Sequence, residues 1–394
     1  MMRSVVMFCL VTWTHSTTNQ FLTIPPTMTA NSDSESGSNV LCGECAQYTA
    51  SCTTNCADDV HRATKRIRLL SYNIFLRPPA PKFTHNVVDD HKDRRLNSFI
   101  NSYLNSYDIL CLQEMFGSFS HRRRRLIQAA NQLGFHWTVS NPRARNFLVD
   151  GGLLILSRLR IVSESHIIFR PGVMSDRLSA KGAIYAKLEP TPGVFIHLFV
   201  THLQAVYADP ASTHKCLRAQ RFQYDELVNF IVSTVGSLRD SPVLLVGDFN
   251  CNSRLPHGAP THATTERFKN LYQVLSRLGP FSDVLYDHYG YHPVTYGYAT
   301  FNPNGSFTPA ETALTDPADY HPSGEHINQS LDYIFLFPTN TRQAPTLTVS
   351  KARVGHLEYI TGPRSLPAPN LKYLSDHLAV EAILEVTTRE MFSE

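Results

Sequence analysis

No stretch of this chain is long and apolar enough to cross a bilayer as a helix. The most apolar run, Ser4 to Trp13 behind Arg3, holds about ten apolar residues, roughly half of what a spanning helix needs. Small polar residues follow it to Thr18, as after a secretory signal, but the charge before it is weak and no A-x-A cleavage site follows. Residues 1–20 are therefore expected to be a signal peptide, with the protein secreted or held at a membrane surface. A cytoplasmic or peripheral-membrane location is the alternative. A strong charge imbalance is also missing. The net charge of +3 gives no general attraction to nucleic acid, and the one concentrated basic run is Arg122 to Arg125. Internal repeats are absent too, which excludes a solenoid or propeller.

What is present is ordinary for a soluble globular protein: 394 residues, 42% hydrophobic and 18% charged, enough to bury a sizeable core. Four of the eight cysteines, Cys42, Cys45, Cys52 and Cys56, crowd into one segment. In an exported chain they could form two disulfides in any of three connectivities. In a cytosolic one they could hold zinc, although the spacing is off the usual templates, or stand unpaired or lipid-modified in a leader. From Thr14 to about Ser38 the sequence is rich in Thr, Ser, Asn and Pro without periodicity. Residues 21–65 are expected to be leader and linker, and residues 66–394 the folded catalytic domain. Asn304 and Asn328 begin glycosylation sequons, which matter only after export.

Strand and helix signals alternate along the folded part. Strands are predicted over Ile67–Ile74, which carries Asn73, and over Asp108–Leu112, which delivers Gln113 and Glu114. A helix is predicted between them, over about Asp90–Leu104. His121–Leu133 reads as a helix whose arginine-rich start is either solvated or faces phosphate or membrane. Further strands are predicted over Asp150–Ser157, Ile161–Phe169, Lys181–Leu188 and Val194–His202, the last two joined by a turn over Pro190–Gly193. Helices are predicted over Ser212–Val235 and near Thr265–Leu278, with strands over Val243–Val246, Leu331–Phe335 and Leu378–Val386. Residues 283–330 are rich in tyrosine and in turn residues, with little regular pattern, which marks a functional segment. Interspersed elements with strands in excess predict an α/β or α+β fold with mixed sheets.

The run Val243–Val246 is unbroken, as in a strand buried on both faces. Gly247 ends it, and Asp248 and Asn250 follow at i and i+2, which point the same way in an extended segment. A carboxylate beside a neutral amide suits a hard metal ion or a phosphate; a plain Asx-turn would look the same. Other apolar runs also end or begin on polar groups: Asn73, Glu114, His202, Asp332, and Asp376 with His377. Singly, each has a bland account as a surface acid, a satisfied core histidine or a carboxylate on a backbone amide. Jointly they do not. Three or four carboxylates in one cleft repel unless a cation neutralises them, and two histidines beside it can serve as acid and base. That is the donor set for metal-assisted hydrolysis of a phosphate ester.

Gln113-Glu114, Gly247-Asp-Phe-Asn250 and Ser375-Asp-His377, in that order, resemble the endonuclease/exonuclease/phosphatase superfamily. Asp150-Gly-Gly, Leu178-Ser-Ala-Lys-Gly182 and Thr201-His-Leu-Gln-Ala205 are similar to stretches of the neutral and bacterial sphingomyelinases. The likeness runs from about residue 67 to the end and leaves most of residues 283–330 unconstrained. It implies a DNase I-like four-layer sandwich, two packed mixed β-sheets flanked by helices, holding Mg2+ at one end, with Mn2+ or Co2+ as substitutes. It implies Glu114 as principal metal ligand with Asn73, Asp248 and Asp376 near the metal. Asp248 and Asn250 would hold phosphate, metal or the attacking water, and Lys181 would offer charge to the phosphate. His377 would be the general base, oriented by Asp332, and His202 would steady the phosphate or protonate the leaving alkoxide. The activity so implied is a phospholipase C-type cleavage of sphingomyelin, or a related phosphosphingolipid, by a monomer at a membrane surface. A metal-dependent nuclease or other phosphoesterase on the same fold is the alternative, although a nuclease needs a basic groove that the near-neutral charge does not promise.

Overall fold

The computed structural model of the chain describes residues 62–78, 90–142, 144–206, 210–236, 240–314, 327–339, 345–361 and 370–389. The expected signal segment and the cysteine cluster lie outside these residues. In chain order the elements are β1 (Arg62–Leu76), α1 (Lys92–Ser102), β2 (Ile109–Met115), α2 (Arg122–Gln132), β3 (Trp137–Ser140), β4 (Val149–Asp150), β5 (Leu154–Ser157) and β6 (Arg160–Ile168). They continue with β7 (Ser179–Ala180), β8 (Gly182–Thr191), β9 (Val194–His202), α3 (Pro210–Val235), β10 (Val243–Asp248), α4 (Glu266–Leu275), β11 (Ser282–Asp283) and α5 (Val284–Tyr289). Last come β12 (Ala299–Phe301), β13 (Phe307–Pro309), β14 (Asp332–Phe337), β15 (Thr346–Gly355) and β16 (Ala379–Arg389).

Two six-stranded sheets result, ordered β15-β16-β1-β2-β5-β3 and β11-β14-β10-β9-β8-β6. Each has one parallel pair at its centre, β1 with β2 and β9 with β10, and antiparallel neighbours elsewhere. The inner faces pack together: Ile67, Leu69, Ile109 and Ile155 of the first sheet share a core with Ile184, Leu198, Val200, Leu244 and Ile334 of the second. The next residues along the same strands face outward and are covered by helices. Leu70, Tyr72 and Leu112 pack with Phe99 of α1 and Leu126 of α2, and Phe199, Leu245 and Phe335 pack with Ile231 of α3 and Leu271 of α4. This is the four-layer sandwich that the resemblance implies, and it agrees with the mixed-sheet α/β class read from the element pattern. Burial on both faces explains why the central strands read as unbroken apolar runs instead of alternating.

The departures from expectation are local. β1 begins at Arg62, not Ile67, because its polar first residues pair with the end of β16. Asp150 ends the short strand β4, and Gly151 to Leu153 link it to β5, so the expected single strand is interrupted. β3 and β15 were not anticipated. β3 has only four residues, and a register shift between Val349 and Lys351 breaks the period-two signal of β15. The 283–330 segment, where described, holds α5 and the β12–β13 hairpin. Of the sequons, Asn304 sits in the exposed hairpin turn, whereas Asn328 is half-buried, with its side chain bonded to both backbone groups of Ala299.

Gly247 lets two strands approach. Its φ is 140°, and an added Cβ would lie 2.1 Å from the Thr201 carbonyl oxygen. Gly247→Ala should therefore cost more than about 2 kcal/mol in urea unfolding; a near-neutral result would show that β9 can yield. A second prediction concerns pH. Asp283 caps α5, its Oδ1 accepting from the Leu285 and Tyr286 amides at 3.1 and 3.2 Å, while its Oδ2 lies 3.6 Å from His292 Nδ1. Burial keeps both groups neutral instead of ion-paired, pushing Asp283 up to about 7 and, helped by Arg254, His292 down to about 4. A folded pKa above the unfolded one means this carboxyl's contribution to stability is full below about pH 4 and lost as pH rises through about 7. Asp283→Asn keeps the cap without the titration, so it should gain more than about 1 kcal/mol relative to wild type between about pH 5 and about pH 8. Equal differences at the two pH values would refute this.

Candidate active site

Strand direction assembles the site. Asn73, Glu114, His202 and Asp248 lie at or near the C-terminal ends of β1, β2, β9 and β10, the two parallel pairs. β14 and β16 run antiparallel to these, so their N-terminal ends reach the same edge, bringing Asp332 and the Ser375-Asp376-His377 turn. Within the second sheet the register places Asp248 directly between His202 and Asp332. The chain also bends sharply here: Glu114 and Asn250 adopt φ of 54° and 49°, a left-handed conformation costing about 1–2 kcal/mol for most residues. Gly152 makes the first bend possible, since a Cβ there would meet the Glu114 Cα at 3.0 Å.

The side chains converge on one oxygen. Asp248 Oδ2 accepts from Asn73 Nδ2 at 3.0 Å and lies 3.5 Å from His202 Nε2 and 3.7 Å from His377 Nε2. Asn73 Nδ2 also donates to Glu114 Oε1 at 3.2 Å, so a single amide bridges two carboxylates. His377 Nδ1 is 2.9 Å from Asp332 Oδ2, with both residues buried. His202 Nε2 is 3.1 Å from Lys181 Nζ, which is also 3.0 Å from Asp176 Oδ2 and donates to the Leu203 carbonyl at 2.7 Å. Asn250 departs from the extended expectation. Its left-handed backbone turns its amide nitrogen onto Asp248 Oδ1 and sends its side chain to the Leu203 carbonyl beside Lys181.

The charges are unbalanced in a telling way. Burial, then the neighbouring Asp332, pushes Asp248 up to about 7, and burial, with Glu114 adding, pushes Asp376 up to about 6. Burial works against a charged His377, but the carboxylates of Asp332, Asp248 and Asp376 prevail and raise it to about 10. Burial, Lys181 and His377 all drive His202 the other way, well below its ordinary value. So His202 stays neutral, accepting from Lys181 through Nε2, and its Nδ1 has no partner among the described residues. Acids that retain protons near neutrality mark a cluster short of positive charge. Glu114 Oε2 is buried with no hydrogen-bond partner among the described residues. Hard oxygen donors, one of them orphaned, fit a hard divalent cation. Asp248, Asp332 and His377 also offer atoms within 4.8 Å of one another, but His377 Nδ1 is already taken by Asp332. Asn73 presents NH2 to the carboxylates, and its Oδ1 accepts from the Phe75 amide, so it acts here as a donor between acids.

The sequence profile of the Endonuclease/Exonuclease/phosphatase family matches residues 70–377. The chain belongs to that family. It is 33% identical over 292 residues to a sphingomyelinase of Dictyostelium discoideum, covering 64% of this chain and 62% of that protein. It is 28% identical over 201 residues to sphingomyelinase C of Listeria ivanovii, covering 47% and 56% respectively. The chain thus matches less than two thirds of the length of either relative. In fold it is similar to sphingomyelinase C of Streptomyces griseocarneus, with a TM-score of 0.52, 19% identity, and 81% of this chain and 99% of that one covered. It is equally similar to a Staphylococcus aureus beta toxin variant with bound magnesium ions, with a TM-score of 0.51, 18% identity, and 81% and 99% covered.

Around these converging side chains stand supporting residues, most of which the sequence did not flag. Thr295 Oγ1 accepts from the Leu331 and Asp332 amides at 2.9 and 3.1 Å, and its carbonyl accepts from the Leu378 amide at 2.7 Å, bracing the Asp332–His377 pair. Asp176 holds Lys181, and only its spacing before the Lys181-Gly182 motif could have hinted at this. Asp150, from the Asp150-Gly-Gly stretch that the sequence did single out, accepts from the Gly117, Ser118 and Gly152 amides and so fixes the turn after Glu114. Arg95 is fully buried. Its Nη1 donates to the Ile74 and Leu374 carbonyls at 3.0 and 2.9 Å, and its Nη2 donates to the Phe75 carbonyl at 2.7 Å. It thereby ties the strand end carrying Asn73 to the turn carrying Asp376 and His377. Its signal was an arginine on the apolar face of α1. Arg95→Met leaves those carbonyls unpaired and should cost about 3 kcal/mol or more in thermal unfolding. A variant as stable as wild type would show that the tie is dispensable.

Proposed function

We propose that this protein is a divalent-cation-dependent phosphodiesterase of phospholipase C type. It cleaves sphingomyelin, or a related phosphosphingolipid, to ceramide and the phosphorylated headgroup. The observation that carries the proposal is the meeting of Glu114, Asn73, Asp248, His202 and the Asp332–His377 pair at one cleft edge. The sphingomyelinases among its relatives support the lipid substrate.

Glu114, with Asp248 and Asp376 beside it and Asn73 bridging, would hold Mg2+. When bound, the ion supplies positive charge that offsets the carboxylates and the phosphate. The protein's own groups divide the remaining work. Asp332 fixes the His377 ring through Nδ1, and once the carboxylates that raise His377 to about 10 are offset by a bound cation, Nε2 would be free to take the proton of the attacking water. Lys181 and neutral His202, adjacent at 3.1 Å, face the phosphate oxygens, with Asn250 as a further donor near the Leu203 carbonyl. A monomer working on a lipid surface suffices for this chemistry.

Labelled sphingomyelin vesicles and the full chain test it. With Mg2+ the chain should release phosphocholine and EDTA should stop the release. His377→Ala should cut turnover by about 10²–10⁴-fold without unfolding the protein. A folded chain that releases nothing from any phospholipid in Mg2+, and instead nicks plasmid DNA, would overturn the lipid assignment.

A further inference from the structure

On segments joined to those of the proposed site, large apolar side chains face solvent. Phe119, Leu148, Met174 and Leu178 are 60%, 51%, 52% and 51% exposed. Two of them are held there in a left-handed backbone, Phe119 at φ 58° and Met174 at φ 55°, which bulky residues rarely adopt.

The four come from three separate segments joined to one another. The Leu148 amide donates to the Leu178 carbonyl at 3.0 Å, and β4 pairs with β7 through Val149–Ser179 and Asp150–Ala180. Asp150 Oδ2 in turn accepts from both the amide and the hydroxyl of Ser118, next to Phe119, at 2.8 Å each. The same segments are tied to the proposed site. The Met115 amide, beside Glu114, donates to the Gly152 carbonyl at 2.8 Å, and Asp176, between Met174 and Leu178, pairs with Lys181 at 3.0 Å.

Their charge is one-sided. Residues 116–124, 142–148 and 170–178 contain seven arginines and one acid, Asp176, which is buried against Lys181. Arg122, Arg123 and Arg170 are bound to Asp93, Asp150 and Glu226, while Arg124, Arg145 and Arg177 are exposed. Apolar tips among arginines, with no exposed acid within these three segments and the exposed Asp93 beside them already bound by Arg122 and Arg125, suit an anionic lipid surface better than another protein.

We propose that these segments dock the protein on a phospholipid bilayer, with Phe119, Leu148, Met174 and Leu178 entering the acyl boundary and the exposed arginines meeting anionic headgroups. The proposal rests on the lipid-substrate assignment above, which explains why docking segments would be tied to this site.

The test is co-sedimentation of the full chain, in EDTA, with phosphatidylcholine–phosphatidylserine vesicles that contain no sphingomyelin. Binding is then read apart from catalysis. The variant Met174→Gly with Leu178→Ser removes two tips, and glycine suits the left-handed position, so the fold should persist. It should partition at least about tenfold more weakly than wild type. Its melting temperature and its hydrolysis of a soluble phosphocholine ester should be unchanged. A wild-type chain that does not bind, or a variant that binds as well as wild type, overturns the proposal. So does concentration-dependent self-association without vesicles that the variant loses, which would make the patch an interface with a second copy. Failure of the lipid-substrate assignment would show separately, as binding to these vesicles with no phosphocholine release from sphingomyelin vesicles in Mg2+.

Discussion

The direction of four central strands is the constraint on which everything else depends. Because β1 runs with β2 and β9 with β10, four strand ends open at one edge of the sandwich, and their antiparallel neighbours begin there. Side chains separated by up to three hundred residues are thereby brought within hydrogen-bond reach, as with Ser375 Oγ and the Asn73 carbonyl at 2.6 Å. A wholly antiparallel arrangement would send half of these ends to the opposite edge.

The chain spends stability to keep that edge charged. Buried carboxylates are held against their preference, with Asp248 and Asp376 pushed up and His377 raised against its own burial. Strained backbone at Glu114 and Asn250 adds to the cost. What opposes it is a scaffold of satisfied groups just behind: Arg95 on three carbonyls, Thr295 under Asp332, and Asp150 gathering the amides after Glu114. Such tension is usual where a bound cation settles the balance. The two histidines are sorted by the same surroundings, one beside three acids and the other beside a lysine.

Much of this was legible in the linear chain. The long buried strands, the helices covering them and the polar residues punctuating their ends all follow from local apolar pattern and turn chemistry. The elements that escaped were those whose pattern is short or interrupted, β3 with four residues and β15 with its register shift. The supporting residues escaped for a different reason. Thr295 and Arg95 act through backbone groups far away in sequence, and neither residue type announces such a partner. The segment around Thr295 looked irregular because its bonds go outward to β14 and β16 and not along itself.

By itself the sequence determined that acids and histidines would stand at the mouths of buried strands, since burying them elsewhere would leave charges without water or partners. Tertiary structure alone decided that Asp248 Oδ2 is the shared point, that Asn73 bridges two carboxylates, and that His202 and His377 carry opposite tendencies. It also decided that the segments carrying Phe119, Leu148, Met174 and Leu178 are joined to one another. Those outcomes depend on which strands pair and in which direction, and a local pattern of apolar and polar residues does not encode its distant partner.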